Sequence, residues 1–302
     1  MPFPKIAVAL STYNGEKYID SQLESIIKQK DVSVDIYIRD DGSTDKTVHK
    51  IKQWMKEYDN IFLQESSNIG YKRSFLSILL YIPEKYDYYA FSDQDDVWLS
   101  EKLYKACDVL DRNRCSLYVS ALNYVNESLE FIRKRDYSDN DIDIYKIFSR
   151  MRFAGCTMVF NFALFCKIKE ILNVYISQIN ISHDGLVMTT CAALDGDIYL
   201  DHNSYIMYRR SPSTVTSGGT SFFKRIRFEY QYLLNQDNRD LLAKELLSLN
   251  CYTNNTYKYI YILANYKEHF TQKLKLVFRT LLLRNNILIN LESVLKIFIN
   301  TF

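Results

Sequence analysis

The sequence predicts an α/β protein: a mostly parallel, doubly wound sheet flanked by helices over residues 1–215, with a helical C-terminal appendage over 216–302. Three observations carry that expectation. Apolar runs of strand length alternate with helix-spaced stripes through residues 6–110, the pattern of parallel strands joined by crossover helices. Two of those runs end in acidic clusters, Asp40-Asp41-Gly42-Ser43-Thr44-Asp45 and Ser92-Asp93-Gln94-Asp95-Asp96. Residues released at the carboxyl ends of parallel strands enter the crevice where open α/β sheets bind ligands. From about Phe222 onward the apolar spacing is helical only.

The elements follow in order. Ile6-Ala7-Val8-Ala9-Leu10 reads as the first strand and Ser11 to Gly15 as the polar turn after it. Tyr18, Ile19, Leu23, Ile26 and Ile27 then recur at helical spacing. Val34 to Ile38 is the second strand. Ser43 or Thr44 can cap the next helix, with Asp45 favoured in its first turn. The buried stripe of that helix is Val48, Ile51, Trp54 or Met55, and Tyr58. Ile61-Phe62-Leu63 is a strand, Phe75 to Leu80 a helix stopped before Pro83, Tyr88 to Phe91 a strand, and Ser100 to Leu110 a helix. Beyond Asp111, Leu117 to Val125 reads as a strand and Arg152 to Phe160 as a buried one. A helix begins near Asp184, with Leu186, Val187, Thr190 and Cys191 on one face. Ile198 to Leu200 and Tyr205 to Tyr208 are short strands, and Ser211 to Ser221 is the one hinge-like stretch.

Composition narrows the class. With 47% hydrophobic and 25% charged residues the chain packs a core rather than staying disordered. The near balance of 38 basic and 36 acidic residues gives no general footprint for nucleic acid. Six cysteines without C-x-x-C spacing, beside four histidines, argue against a zinc site and for a reducing compartment. The N-terminus lacks the layout of a signal peptide, and no apolar stretch has the purity of a membrane span, so a cytoplasmic location is expected.

The acidic clusters point to the chemistry. Gathering carboxylates costs Coulomb repulsion that a divalent cation or ligand hydroxyl groups can offset, so the expected cargo is a metal-bound, hydroxyl-rich phosphate ester. One of Asp40 and Asp41 can accept an N–H from a pyrimidine base. Asp93 and Asp95 alternate at a strand end and can reach one Mg²⁺ or Mn²⁺ ion or one diphosphate–ribose unit. A D-x-D-x-[TV] phosphatase also fits Asp93 to Val97, but its second acidic pair belongs downstream, and here Asp40-Asp41 lies upstream. His183-Asp184-Gly185 reads equally as an acid at a helix start and as a catalytic base. Tyr208-Arg209-Arg210-Ser211 reads equally as a solvated basic turn and as a phosphate grip.

Taken together and in order, Ser11 to Gly15, Asp40 to Asp45, Asn68-Ile69-Gly70, Ser92 to Trp98, Gly155-Cys156-Thr157-Met158 and His183-Asp184 resemble glycosyltransferase family 2 with the GT-A fold. The nearest resemblance is to its bacterial rhamnosyltransferase-like branch, over about the first two-thirds of the chain. The resemblance implies an inverting transferase that moves a sugar, rhamnose among the candidates, from a nucleotide-diphosphate sugar to a saccharide or lipid-linked saccharide in surface polysaccharide synthesis. It implies Mg²⁺ or Mn²⁺ as cofactor. On it, Thr12, Tyr13, Asp41 and Arg73 hold the nucleotide, Asp93 meets the ribose and Asp95 the metal. Gly155, Cys156, Thr157 and His183 border the acceptor, Arg209 and Arg210 face the diphosphate, and Asp184 is the general base. Three positions depart from the branch: Tyr208-Arg209-Arg210-Ser211 stands for Tyr-Arg-Gln-His, which removes a metal-holding histidine; Gly185 replaces an aromatic residue; Ser100 replaces a proline. The alternative is a catalytically silent nucleotide-sugar-binding or scaffold protein. In the appendage, Lys273, Lys275, Arg279, Arg284 and Lys296 interleave with leucine, isoleucine and phenylalanine. That pattern reads equally as a helix pair packed on the catalytic domain and as a peripheral contact with the inner face of the cell membrane.

Overall fold

A run as apolar as Ile6 to Leu10, none of it more than 1% exposed, can only be a strand covered on both faces. In this computed structural model, which describes residues 2–149, 153–176, 180–210, 237–249, 253–283 and 287–302, that run is the heart of β1 (Lys5–Thr12). β1 pairs in parallel with β2 (Ser33–Asp40) and with β4 (Tyr88–Ser92), and β2 pairs in parallel with β3 (Ile61–Glu65). Register sets Thr12 beside Asp40 and Leu10 beside Ser92, so both acidic clusters leave the sheet at the same edge.

Beyond β4 the sheet continues through β8 (Met158–Asn161), β6 (Ser116–Val125), β9 (Asp197–Arg209) and β5 (Val97–Trp98), with β7 (Phe131–Arg135) on β6. β8 runs antiparallel to both its neighbours, while β6 and β9 run parallel. Around the sheet lie α1 (Ile19–Ile27), α2 (Thr47–Glu57), α3 (Tyr71–Tyr81), α4 (Lys102–Val109), α5 (Ile144–Ser149), α6 (Phe162–Tyr175) and α7 (His183–Ala193). After them come α8 (Arg239–Ser248), α9 (Asn254–Asn265), α10 (Phe270–Leu281) and α11 (Ile287–Phe298).

Several expectations need correction. Neither Ser43 nor Thr44 caps α2. The Ser43 hydroxyl is drawn to the Asp40 carboxylate, and Asp45 accepts the Thr47 amide at 2.9 Å instead. In the α2 stripe Trp54, stacked on Tyr58, is inside and Met55 is outside. The strand expected from Arg152 begins only at Met158. Gly155 to Thr157 form a 3₁₀ turn, because the amide and the hydroxyl of Thr157 both donate to the Ala154 carbonyl. The two short strands after Gly196 are one continuous β9. Arg152, Ser211 and the Ser211 to Ser221 hinge lie outside the described residues, as does the expected boundary at 215.

The C-terminal helices pack on the sheet domain. Asp195 accepts the Thr253 amide at 2.6 Å and the Thr256 hydroxyl at 2.7 Å, and Ser149 and Ser293 share a hydrogen bond of 3.1 Å. Among the described residues, no helix is long and apolar enough to cross a membrane.

Candidate active site

Two loops at the carboxyl edge are zipped into one cradle. Asp40 accepts the amides of Gly42 (3.2 Å) and Ser43 (2.8 Å) and the Thr12 hydroxyl (2.9 Å). Ser43 in turn accepts the Asn14 amide at 2.9 Å, Asn14 accepts the Thr44 amide at 2.9 Å, and Thr47 accepts the Gly15 amide at 2.8 Å. Thr12 is thereby fully buried, while the Tyr13 ring stays about half exposed above the cradle.

The Tyr13 backbone is held from the other cluster. Gln94 accepts its amide at 2.9 Å and donates to its carbonyl at 3.1 Å. Gly15 leaves room for that clamp: a Cβ there would come within 2.3 Å of Gln94 Oε1 and displace the side-chain amide from its two hydrogen bonds.

Asp41 is buried and tied inward. It pairs with the buried Arg39 guanidinium and accepts the amides of Ile69 (3.0 Å) and Gly70 (2.8 Å). Its first effect is therefore to fix the loop that starts α3, at a Gly70 whose φ of +81° suits glycine. Arg73 lines a pocket of about 240 Å³ between that helix start and Asn180-Ile181, just ahead of α7.

The acidic centre lies beside the cradle. One ligand atom each from Asp93, Asp96 and Cys156 lies within 4.8 Å of the others. Burial, then Asp95 and then Asp184, push the Asp93 carboxyl up to about 7. Burial also raises Asp95, against the pull of its own backbone amide and of Arg209. Asp96 is wholly buried, and desolvation with Asp93 and Asp95 beside it holds its carboxyl well above the usual range. Its Oδ1 accepts the Arg209 amide at 3.3 Å, while Oδ2 has no hydrogen-bond partner. Beneath it the fully buried Lys102 ammonium sits 3.7 Å from the Trp98 ring centroid, and burial lowers its pKa to about 7.

Asp184, 91 residues after Asp93 in the chain, joins this centre from the first turn of α7. Its Oδ1 accepts the Gly185 amide at 2.8 Å.

Four expected acceptor residues are placed otherwise. Cys156 and Thr157 are buried, with the thiol against Asp93 and Asp96, and Gly155 is buried against His183. His183 is packed as an aromatic ring, stacked on Phe75 at 3.9 Å and edge-on to Phe91 at 4.6 Å. Burial lowers its pKa to about 4, so at neutral pH it is uncharged. These residues are packed at the floor of the centre.

Arg209, expected at the diphosphate, is engaged within the protein. Its guanidinium donates to the carbonyls of Asp95 (2.8 Å) and Glu127 (2.7 Å) and lies over the Tyr18 ring at 4.9 Å. Those contacts clamp the acidic loop. Arg210 lies over Tyr124 at 4.6 Å, and its Nε is buried without a partner.

Gln94, Lys102 and Arg39 carry roles that no motif announced. Gln94 was in view only as the spacer of D-x-D. The two cations could have been suspected from a basic residue inside an otherwise apolar strand or helix start.

Two expected results follow from this packing. A Cβ on Gly155 would stand 2.3 Å from His183 Nε2, on a ring that two phenylalanines prevent from moving. Gly155→Ala should therefore cost about 1–3 kcal/mol, the usual range for overpacking. Thermal melts check this, and adding His183→Ala should recover part of the loss.

The second concerns pH. Folded Asp93 holds its proton up to about pH 7, against an ordinary value of 3.8. Its contribution to stability is thus complete below about pH 4 and lost as pH rises through about 7. His183, lowered from 6.5 to about 4, contributes above 6.5 and loses that as pH falls through 4. Melting temperatures of metal-free Asp93→Asn should lack the parent's decline between about pH 4 and 7. Equal pH slopes in the two proteins would contradict this.

Comparison with known proteins bears on the family and the fold. Residues 7–169 match the model of glycosyl transferase family 2. The chain is 30% identical over 227 residues to the dTDP-rhamnosyl transferase RfbG of Shigella flexneri, covering 72% of this chain and 78% of that protein. The S. aureus TarS 1-349 crystal structure superposes with a TM-score of 0.59 at 19% identity, covering 98% of this chain and 80% of that one. TarS 1-349 in complex with UDP-GlcNAc gives 0.55 at 18% identity, covering 97% and 89%. At such identities the likeness speaks for the fold, which is GT-A. With over half its length matched by the family model and a 30% identical relative covered over most of its length, the chain belongs to glycosyl transferase family 2 and is a glycosyltransferase.

Proposed function

We propose that the chain transfers a sugar, rhamnose first among the candidates, from a thymidine- or uridine-diphosphate donor to a hydroxyl of a saccharide or lipid-linked saccharide, with inversion, in surface polysaccharide synthesis. The observation that carries this reading is the convergence of Asp184 on Asp93 from a distant helix. In this reading the Asp184 carboxylate faces the acceptor side of the donor, across from the donor-side acids. The likeness to RfbG supports the choice of donor.

In this reading the Tyr13 ring stacks on the base, and Thr12 and Asp41 shape the floor beneath it. Arg73 reaches the nucleotide from the pocket edge, and Asp93 turns to the ribose. Arg210, with no carboxylate partner among the described residues, faces the diphosphate. The oxygens of Asp93 and Asp96, one from each within 4.8 Å of the other and Oδ2 of Asp96 unpartnered, are hard donors, with Asp95 as the added carboxylate of this reading, which fits Mg²⁺ or Mn²⁺. The soft, buried Cys156 thiol adds nothing to that set. Asp95 would hold the ion. The chemistry such an ion supplies is bridging of diphosphate oxygens and neutralisation of leaving-group charge. Asp184 takes the proton from the acceptor hydroxyl as it attacks. The enzyme would work at the inner face of the cell membrane.

The test incubates the protein with a panel of thymidine- and uridine-diphosphate sugars and lipid-linked saccharide acceptors. The acceptor mass should rise by one sugar as nucleoside diphosphate appears. Donor binding with neither hydrolysis nor transfer across the panel would refute the reading and restore the silent-binder alternative.

A further inference from the structure

The helix α11 is built inside out. Ile287, Leu288, Leu291, Leu295 and Phe298 are 47% to 72% exposed. Its buried face is polar at Asn290, Ser293 and Lys296, with Ile297 beside them. Each of these three side chains is tied to a partner: Asn290 donates to the Leu283 carbonyl at 2.9 Å, Ser293 meets Ser149, and Lys296 pairs with Asp237 at 2.9 Å. These contacts fix the rotation of the helix, so the apolar stripe cannot turn inward without breaking them. The neighbouring α10 packs on α11 and exposes Phe270, Leu274, Phe278 and Leu281, spaced by four, four and three residues along one face. Its own buried contacts, Leu276 and Thr280, lie elsewhere on the helix. A water-facing apolar surface of this extent marks an interaction site.

We infer that the exposed stripes of α10 and α11 form a docking face for an anionic lipid bilayer, into whose interface they insert. The inference deepens the membrane-side location proposed above and rests on it for biological sense, not for its evidence. Charge selects the occupant. Residues 270–302 carry five Lys or Arg against one Glu, and of these Lys296 is buried on Asp237 and belongs to the inner face. Lys273 and Lys275 make no ion pair among the described residues, whereas Arg284 lies outside them. A second copy of the chain is the competing occupant, but a two-fold contact would bring the same basic residues of both copies together. An acidic headgroup layer relieves those charges while its acyl boundary takes the leucines. The position suits an acceptor delivered from the membrane: α11 packs on α5, and α5 on α7, whose first turn carries Asp184.

Flotation of the full chain with phosphatidylglycerol–phosphatidylcholine vesicles, against phosphatidylcholine alone, tests the inference. The parent should float with the anionic vesicles at low salt. Leu291→Glu combined with Leu295→Glu, both outside the core, should lower the bound fraction about tenfold or more at an unchanged melting temperature. Lys273→Glu with Lys275→Glu should lower it about tenfold on the anionic vesicles only. Parent protein left at the bottom with anionic vesicles would overturn the inference, as would a dimer in light scattering that the leucine pair abolishes. Binding of thymidine diphosphate, followed in the same samples, separates the two readings. Vesicle binding without nucleotide binding would remove the proposed function alone, and the converse would remove the docking face alone.

Discussion

Asp184→Asn is expected to slow sugar transfer by about 10²–10⁴-fold, the usual worth of a positioned general base, while nucleoside-diphosphate affinity stays near that of the parent. Inversion requires the acceptor oxygen to approach the anomeric carbon opposite the leaving diphosphate. The base must therefore stand across the donor from the metal-side acids. Asp184 is the candidate for that position because it enters from α7, not from the strand edge that supplies Asp93, Asp95 and Asp96. One of its oxygens is fixed by the Gly185 amide. Asparagine keeps that hydrogen bond and the side-chain shape but cannot take a proton. Rates with saturating donor, together with calorimetric titration by thymidine diphosphate, check both halves. A variant with near-normal turnover would move the base elsewhere. It would not move it to Asp96, which is wholly buried and cannot reach an acceptor.

The parallel half of the sheet was legible because its strands are buried on both faces. Ile6 to Leu10 and Tyr88 to Phe91 are apolar throughout, and their abrupt polar ends mark the site edge. The other half was harder. Arg152 to Phe160 has the composition of a buried strand, yet a threonine bonding back to Ala154 turned its first part into a 3₁₀ loop. The α6 helix went unread although Leu164, Phe165, Ile168, Ile171 and Leu172 keep helical spacing and are all buried. Within the site, the order of motifs brought out the acids, but their environments depend on tertiary packing. Arg209 looks like a phosphate ligand in any sequence. Only the pairing of β9 with β6, which delivers it to the Asp95 and Glu127 carbonyls, makes it a clamp. His183 looks like an acceptor contact until Phe75 and Phe91 close around its ring.

Asp95→Ala should remove metal-stimulated turnover, by about 10³-fold, while the metal-free protein folds as well as the parent or better. Asp95 differs from its neighbours in one respect. No residue other than itself donates to its carboxylate among the described residues, and its loop is pinned through its carbonyl by Arg209. A pinned backbone with an uncommitted carboxylate suits a metal ligand. Losing a divalent clamp on a departing diphosphate costs several kcal/mol of transition-state stabilisation, and about 4 kcal/mol corresponds to that factor. The stability half follows from repulsion: Asp95 stands beside Asp93 and Asp96 and raises both carboxyl groups, so removing it relieves a strain that the cation otherwise relieves. Chelator titration and thermal melts with and without Mg²⁺ or Mn²⁺ measure the two halves separately. Full parental activity in excess chelator, with Asp95→Ala equally active, would sink the metal role. In that case Arg210→Ala should carry the loss instead, since Arg210 is the remaining cation at the end of β9 and has no carboxylate partner among the described residues.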